Sequence, residues 1–225
     1  MALAKIPSRT NYVDEVYKTL LGAISAGSLA PGERILQEEL AEQMNVSRSP
    51  ILQALQMLKK DGLLEEAPGR GLVVTKLDAT HIGQVYQIRG ALDALAARLA
   101  ASRKAKIPLS LIEKGRATAN GSDVNALIDA DIDFHKAIYE ASGNPYIAQA
   151  AVMHWIHLRR VMGAVLQRKN SRAGIWDEHA AIAKAIHDGD ADRAAALSEQ
   201  HAEAARESLI ANLQSSKFLE DQMEA

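Results

Sequence analysis

Gln37-Glu38-Glu39-Leu40-Ala41-Glu42-Gln43-Met44-Asn45-Val46-Ser47-Arg48-Ser49-Pro50-Ile51-Leu52-Gln53-Ala54-Leu55 reads as two short helices crossing at a sharp turn. Leu40, Ala41, Val46, Ile51 and Leu55 are spaced to form the small core between them, and Ala41 keeps the crossing close. Asn45 occupies the turn, where asparagine is among the few non-glycine residues that accept positive φ. The second of these helices takes Ser47 as its N-cap and carries Pro50 in its first turn, where a missing N–H is tolerated. Ser47, Arg48, Ser49 and Gln53 cluster at its start. In helix-turn-helix proteins this end enters the major groove, where hydroxyls and N–H groups face phosphate and an arginine pairs with guanine. The same residues also fit an ordinary helical hairpin with a solvated Ser-Arg-Ser cap.

Working outward, Tyr12 to Ala26 repeats Val13, Val16, Leu20 and Ile24 at three- and four-residue steps, the period of a helix. Gly27 suits a C-cap, and Pro31-Gly32 a turn. The helix after Asn45 is expected to end near Asp61-Gly62. Leu63–Ala67 and Leu72–Thr75 are strand candidates joined by Pro68-Gly69-Arg70-Gly71, a hairpin signal. Three helices followed by a hairpin is the order of a winged helix-turn-helix, and Arg70 at the wing tip is within reach of a phosphate or the minor groove. From Asp78 onward only helical periodicity remains, with helices expected at 79–103, 108–119, 123–142, 145–170, 173–187 and 191–214. Ile107-Pro108, Asn120-Gly121-Ser122, Gly143-Asn144-Pro145 and Gly189-Asp190 supply the breaks. Phe218–Ala225 reads as a frayed tail. The fold class is therefore mainly α: a winged helix-turn-helix over residues 1–77, then an all-α helical bundle over 78–225.

Composition narrows the chemistry. The 225 residues are 48% hydrophobic and 24% charged, which excludes wholesale disorder. Cysteine is absent, removing disulfides, thiolate metal sites and cysteine nucleophiles, and this agrees with a reducing, cytoplasmic location. No stretch approaches the roughly 18 apolar residues of a membrane span. Each half is nearly neutral, with nine basic and nine acidic residues through residue 77 and 17 against 19 beyond it. Any affinity for DNA must come from a few placed cations and helix N-termini.

Polar residues interrupt apolar stripes in the second half. Asp131 and His135 continue the stripe of Val124, Ile128 and Ile138, one turn apart on an inward face. His179 shares a stripe with Ile175, Ile182 and Ile186, and His201 one with Ala194, Leu197 and Ala205. Buried groups of this kind need partners. One divalent cation would satisfy all four, and three histidines with one aspartate suit Zn²⁺, or Ni²⁺, Mn²⁺ or Fe²⁺ at higher coordination number. An i,i+4 hydrogen bond between Asp131 and His135, with the other imidazoles partnered separately, fits the spacing slightly better. Arg89 lies on the stripe Ile82, Val85, Leu92, Ala96, either paired with Asp93 at i+4 or free to bind an anion bidentately. His154 and His157, beside Trp155 and Arg159, are expected at a pocket rim or in solvent. A His₃Asp site could also activate water in an enzyme, but no nucleophile motif or cofactor fingerprint accompanies it.

Gly32-Glu-Arg-Ile, Glu39-Leu-Ala, Asn45-Val-Ser-Arg-Ser-Pro-Ile, Ala54-Leu55, Asp61-Gly62-Leu63 and Gly69-Arg70-Gly71 together resemble the DNA-binding domain of GntR-superfamily transcriptional regulators. Asp131-Ile-Asp-Phe-His135, Gly143-Asn-Pro145, Glu178-His179, Gly189-Asp190 and His201 resemble the FCD-type ligand-binding domain of the FadR-like branch. The likeness spans residues 10 to about 210. It implies a homodimer on a palindromic double-stranded operator, more commonly a repressor. It also implies a metal held by Asp131, His135, His179 and His201, and a small organic acid anchored by Arg89, with Arg159 as a second anchor. Two positions depart from the family. Leu52 stands where an arginine is usual on the recognition helix, and Glu38 where a basic residue is common, so Arg48 is expected to carry more of the recognition.

Overall fold

The computed structural model describes residues 12–166 and 174–223, and it divides into two compact units on either side of the Lys76–Leu77 bond. The first holds α1 (Tyr12–Ala26), β1 (Arg34–Ile35), α2 (Gln37–Gln43), α3 (Arg48–Lys60), β2 (Leu64–Glu66) and β3 (Leu72–Val74). Helix α1 buries Val16, Leu20 and Ile24, the stripe set by its period, and packs against α3, which buries Ile51, Ala54, Leu55 and Leu58. Asn45 adopts φ 50° at the corner between α2 and α3. Of the five residues expected between those helices only Ile51 and Leu55 are fully buried; Leu40, Ala41 and Val46 are half-buried, because the seven-residue α2 covers only one side of its partner. Ser47 stands at the N-cap of α3 as expected, yet its side chain makes no capping hydrogen bond.

The wing is a three-stranded antiparallel sheet in the order β1-β3-β2, with Leu64 opposite Val74 and Ile35 opposite Leu72. Its two longer strands are trimmed by one or two residues against expectation. Strand β1 was not expected at all: two residues carry no periodicity, and they pair only because β3 presents a free edge. Tyr17 donates a hydrogen bond of 2.7 Å to Asp61, tying α1 to the end of α3.

The second unit is α4 (Ala79–Ser102), α5 (Leu109–Ala119), α6 (Val124–Ser142), α7 (Pro145–Val165), α8 (Ile175–Asp188) and α9 (Ala191–Met223). Helix α4 packs against α6, α7, α8 and α9. Buried Ala96, Ala97, Ala100 and Ala101 on α4 and Ala194, Ala195 and Ala202 on α9 carry no bulk that would hold neighbouring axes apart. The helix starts are fixed by side chains: Asp78 accepts from the N–H groups of Thr80 and His81, Asp123 from Ala126 and Asn144 from Tyr146. Gly143 and Gly189 end α6 and α8 in the left-handed region, where a Cβ is costly. Two expectations are corrected. Helix α7 stops at Val165, short of residue 170, and residues 167–173 lie outside the described ones. Helix α9 continues past residue 214, so Phe218–Met223 is helical and not a frayed tail; no glycine or proline interrupts the chain between Asp190 and Met223.

Two apolar clusters form the core of this unit. One centres on Phe134, Ile138, Trp176, Ile182 and Ile186, the other on Ile82, Ile128, Leu158 and Val161, and Trp155 packs against both. Amid these apolar helices sit buried Arg89, Asp93, Asp131, His135, His179 and His201.

Candidate metal centre and nucleic-acid interface

Asp131 and His135 project from successive turns of α6, His179 from α8 and His201 from α9. One ligand atom from each lies within 4.8 Å of all the others. His179 Nε2 is 3.2 Å from His201 Nε2 and 3.4 Å from Asp131 Oδ1, and His135 Nε2 is 3.9 Å from Asp131 Oδ1. The outward nitrogens explain why these Nε2 atoms face inward. His201 Nδ1 meets Glu178 Oε2 at 2.7 Å, and His135 Nδ1 lies 3.4 Å from Asp93 Oδ2. A carboxylate only accepts, so each Nδ1 carries the hydrogen and each Nε2 keeps a lone pair for the centre. Arg89 Nη2 donates to His135 Nε2 at 2.8 Å, which requires the same tautomer.

Burial, reinforced by Arg89 and the neighbouring imidazoles, holds the His135 pKa well below the ordinary histidine range; burial, His201 and Arg89 do the same to His179. Both rings are therefore neutral, the form that ligates a metal. His179 Nδ1 is buried with no hydrogen-bond partner, and the facing nitrogens of His179 and His201 can share at most one hydrogen. A divalent cation would take both facing lone pairs in place of that shared hydrogen, and three neutral imidazoles with one carboxylate are a donor set that fits such an ion.

The surroundings hold this geometry. Phe134 stacks on the His179 ring at 4.2 Å and Trp176 meets it edge-on at 4.6 Å. Trp176 in turn lies flush against α5 at Gly115, where an added Cβ would fall inside the indole ring. Of the two readings open for Arg89, the structure has the pairing with Asp93: Nε bonds it at 3.2 Å, while Nη2 lies 3.7 Å from Asp131 Oδ2. Its Nη1 donates to the Tyr86 hydroxyl at 3.2 Å, its plane lies over the Trp155 ring at 4.3 Å, and Tyr139 donates to Asp93 from the other side.

A cavity of about 230 Å³ opens from this centre. Arg89, Asp131 and His201 line one end, and Met162, Leu166, Ile175, Ala205 and Leu209 line much of the rest. Arg159 is corrected: it is not part of this lining, because its guanidinium is drawn to Asp129 at 2.5 Å on the adjacent α6 surface. His154 and His157 do not line the cavity either; His157 packs edge-on against His81.

In the first unit the start of α3 gathers Ser47, Arg48, Ser49 and Gln53 on one exposed surface, with Leu52 also exposed beside them, and Arg70 stands exposed in the β2–β3 turn. Gln53 donates to the Ser49 hydroxyl at 3.2 Å. Arg48 forms a 2.8 Å ion pair with Glu38 of α2, so the acidic departure at Glu38 engages the very guanidinium expected to read bases. Arg34 donates to the Arg70 carbonyl and so fixes the wing turn.

Residues 12–74 match the gntR family of bacterial regulatory proteins, and residues 84–204 match the FCD domain. The chain belongs to the GntR family. A GntR-family protein of this kind is a DNA-binding transcriptional regulator and not an enzyme. This regulator is 32% identical to the HTH-type transcriptional regulator YdhC of Bacillus subtilis over 165 residues, covering 70% of this chain and 74% of YdhC. It is 27% identical over 199 residues to a probable D-xylose utilization operon transcriptional repressor of Paenarthrobacter nicotinovorans, covering 86% of each. Its fold resembles that of Escherichia coli McbR/YncC, with a TM-score of 0.75 at 20% identity over 89% of this chain and 98% of that one. A GntR regulator from Rhodococcus sp. RHA1 gives 0.74 at 23% identity, over 90% and 99%. No helix among the described residues is long and apolar enough to cross a membrane.

Four contributors to the regulator's second unit escaped sequence reasoning. Glu178 on α8 bonds His201 on α9, Tyr86 accepts from Arg89 one turn along α4, Tyr139 on α6 donates to Asp93 on α4, and Asp93 was seen only as a partner for Arg89. Glu178 is 23 residues from His201, and half-exposed, so no periodicity marked it.

Proposed function

We propose that this GntR-family regulator is a homodimeric repressor that holds a palindromic operator and releases it when a small carboxylate enters a metal-centred pocket. The observation that carries this reading is the convergence of Asp131, His135, His179 and His201 beside a cavity that also receives Arg89. Three imidazole nitrogens and one carboxylate oxygen suit Zn²⁺ at four-coordination, with Ni²⁺, Mn²⁺ or Fe²⁺ as alternatives when water or the acid completes a larger shell. Bound there, the ion supplies a positive centre that an organic acid can chelate. Arg89 offers the acid a second, charge-assisted contact.

The formal charges support dependence on the ion. Among the described residues around the inner end of the cavity, one guanidinium, Arg89, is paired with Asp93 and Asp131, and a third carboxylate, Glu178, is paired with His201. An anion entering without a cation meets net negative charge; with a divalent cation that charge is cancelled. At the DNA end, Ser47 and Ser49 serve phosphate, Arg48 and Gln53 reach base edges, and Arg70 on the wing contacts the backbone or minor groove. Arg48 must exchange Glu38 for its DNA partner, a substitution of one charge-assisted bond for another. Two-fold symmetry matches such heads to half-sites about one helical turn apart. The acid controls DNA affinity only through a differential preference between head arrangements, typically about 1–3 kcal/mol. Arg89 lies on α4, the helix that begins directly after the boundary between units, which gives the ligand contact a short covalent route toward the heads.

The decisive experiment strips the protein with a chelator, reloads Zn²⁺, and measures operator binding with and without carboxylates. One ion per chain and acid-induced release only in the reloaded protein are expected. Release by Zn²⁺ alone would make the ion itself the signal, and full acid response in stripped protein would overturn the metal-centred pocket.

A further inference from the structure

The cavity is chemically lopsided. Its inner end carries Arg89, Asp131 and His201, whereas Met162, Leu166, Ile175, Ala205 and Leu209 form an aliphatic wall. Met162, Leu166 and Leu209 are each less than a tenth exposed, so this wall belongs to the interior and not to the rim. Among the described residues, the other polar side chains of the lining are Tyr86, Glu178 and Ser208, and none of these is a cation. Tyr86 already accepts from Arg89, Glu178 already accepts from His201, and Ser208 is exposed at the mouth.

We infer that the acid is a monocarboxylate with a purely hydrocarbon tail of about three to five carbons, its carboxylate at the Arg89 end and its tail on the aliphatic wall. This rests on the carboxylate reading above and narrows it. Size sets the length: 230 Å³ at roughly 30 Å³ per water-sized unit holds about eight non-hydrogen atoms. Polarity sets the class. A second carboxylate on the tail would sit among methyl and methylene groups without a counter-charge from the described lining, and an unpaired charge there is expensive. The hydroxyls of a sugar acid would lie against the same wall unpartnered, a smaller penalty repeated at each carbon.

The test is calorimetric titration of the Zn²⁺-loaded full chain with acetate, butanoate, pentanoate, pentanamide and glutarate. Each CH₂ from acetate to pentanoate is expected to tighten binding about fourfold, roughly sixtyfold in all. Pentanamide keeps the tail and lacks the charge, and is expected to bind at least tenfold more weakly than pentanoate. Glutarate has the same chain length with a carboxylate in place of the terminal methyl, and is expected at least a hundredfold weaker. In Met162→Lys the placed ammonium is expected to raise glutarate affinity and lower that of pentanoate; Leu209→Asn, a milder change, is expected to weaken pentanoate while leaving acetate unchanged. Glutarate binding as tightly as pentanoate, or acetate as tightly as pentanoate, overturns the hydrocarbon-tail assignment and leaves the carboxylate site standing. Failure of all the acids at millimolar concentration, or equal binding of pentanamide and pentanoate, overturns the carboxylate reading itself.

Discussion

In His179→Ala the loss of packing and the loss of metal separate cleanly. The wild-type ring is fully buried, stacked on Phe134 at 4.2 Å and enclosed by Trp176, His135 and His201. Deleting a buried ring of that size costs about 3–5 kcal/mol. The wild type, however, carries an unpartnered Nδ1 whose burial already costs about 1–3 kcal/mol, and the variant is relieved of it. The metal-free variant is therefore expected to be less stable by about 2 kcal/mol. Zn²⁺ at one hundred times its dissociation constant adds about 2.7 kcal/mol to the wild type, which raises Tm by about 5–11 °C for a protein of this size. The variant, lacking one of four ligands, is expected to show little of that rise. Thermal melts followed by circular dichroism after chelator treatment, repeated across a Zn²⁺ titration with bound metal quantified, measure both quantities. A variant that is destabilised without metal yet keeps one ion per chain and the full Zn²⁺-dependent rise would refute the ligand set and leave His179 a packing residue.

Three further outcomes are expected. His135 and His179 have folded pKa values depressed by burial, so the unfolded chain takes up protons first as pH falls; their stabilisation is complete above about pH 6.5 and declines below it, by about 1.4 kcal/mol per pH unit for each ring. Asp93 and Asp131, raised by burial, act with the opposite sign, so urea midpoints of metal-free protein at pH 7.5 and 5.5 are compared with the His135→Gln/His179→Gln double variant, and an identical pH dependence in the two would contradict the neutral-ring picture. Leu52→Arg restores a cation on the exposed face of α3 and is expected to strengthen operator binding and steepen its dependence on log salt by about one unit; an unchanged salt slope would mean that this face does not approach the phosphates. Gly115→Ala is expected to displace Trp176 at a cost of about 1–3 kcal/mol and to weaken Zn²⁺ binding through the adjacent His179; loss of stability with wild-type Zn²⁺ affinity would uncouple the two rings.

Periodicity made the helices legible because each long helix has one apolar face and one wet one, and Gly143, Gly189, Asp78, Asp123 and Asn144 mark the ends with side-chain or backbone chemistry that any reader of the sequence can follow. The two-residue β1 carries no such signal; its existence depends on what β3 leaves unpaired. The convergence of Asp131, His135, His179 and His201 was legible for a related reason: they are polar interruptions of apolar stripes, and an interruption on an inward face demands a partner. Arg159 failed the same logic. It lies near Trp155 in sequence, but Asp129 on the next helix captures its charge, and only the packing of α6 on α7 reveals that. Glu178 was noticed only as the neighbour of His179; its bond to His201 was not legible, since a half-exposed glutamate looks like ordinary surface until the fold brings His201 to it.

The Nη2 of Arg89 rests on the one lone pair of His135 that points at the centre. A lone pair serves a single acceptor role at a time. A cation held by Asp131, His135, His179 and His201 would therefore oblige Arg89 to give up that bond, while its anchors at Asp93 and Tyr86 would keep the side chain in place. On the proposed function, the freed N–H would then be available to a carboxylate beside a centre whose net negative charge the ion has cancelled. On that reading, loading the centre and freeing the arginine would be a single event, and the response to an acid would depend on both.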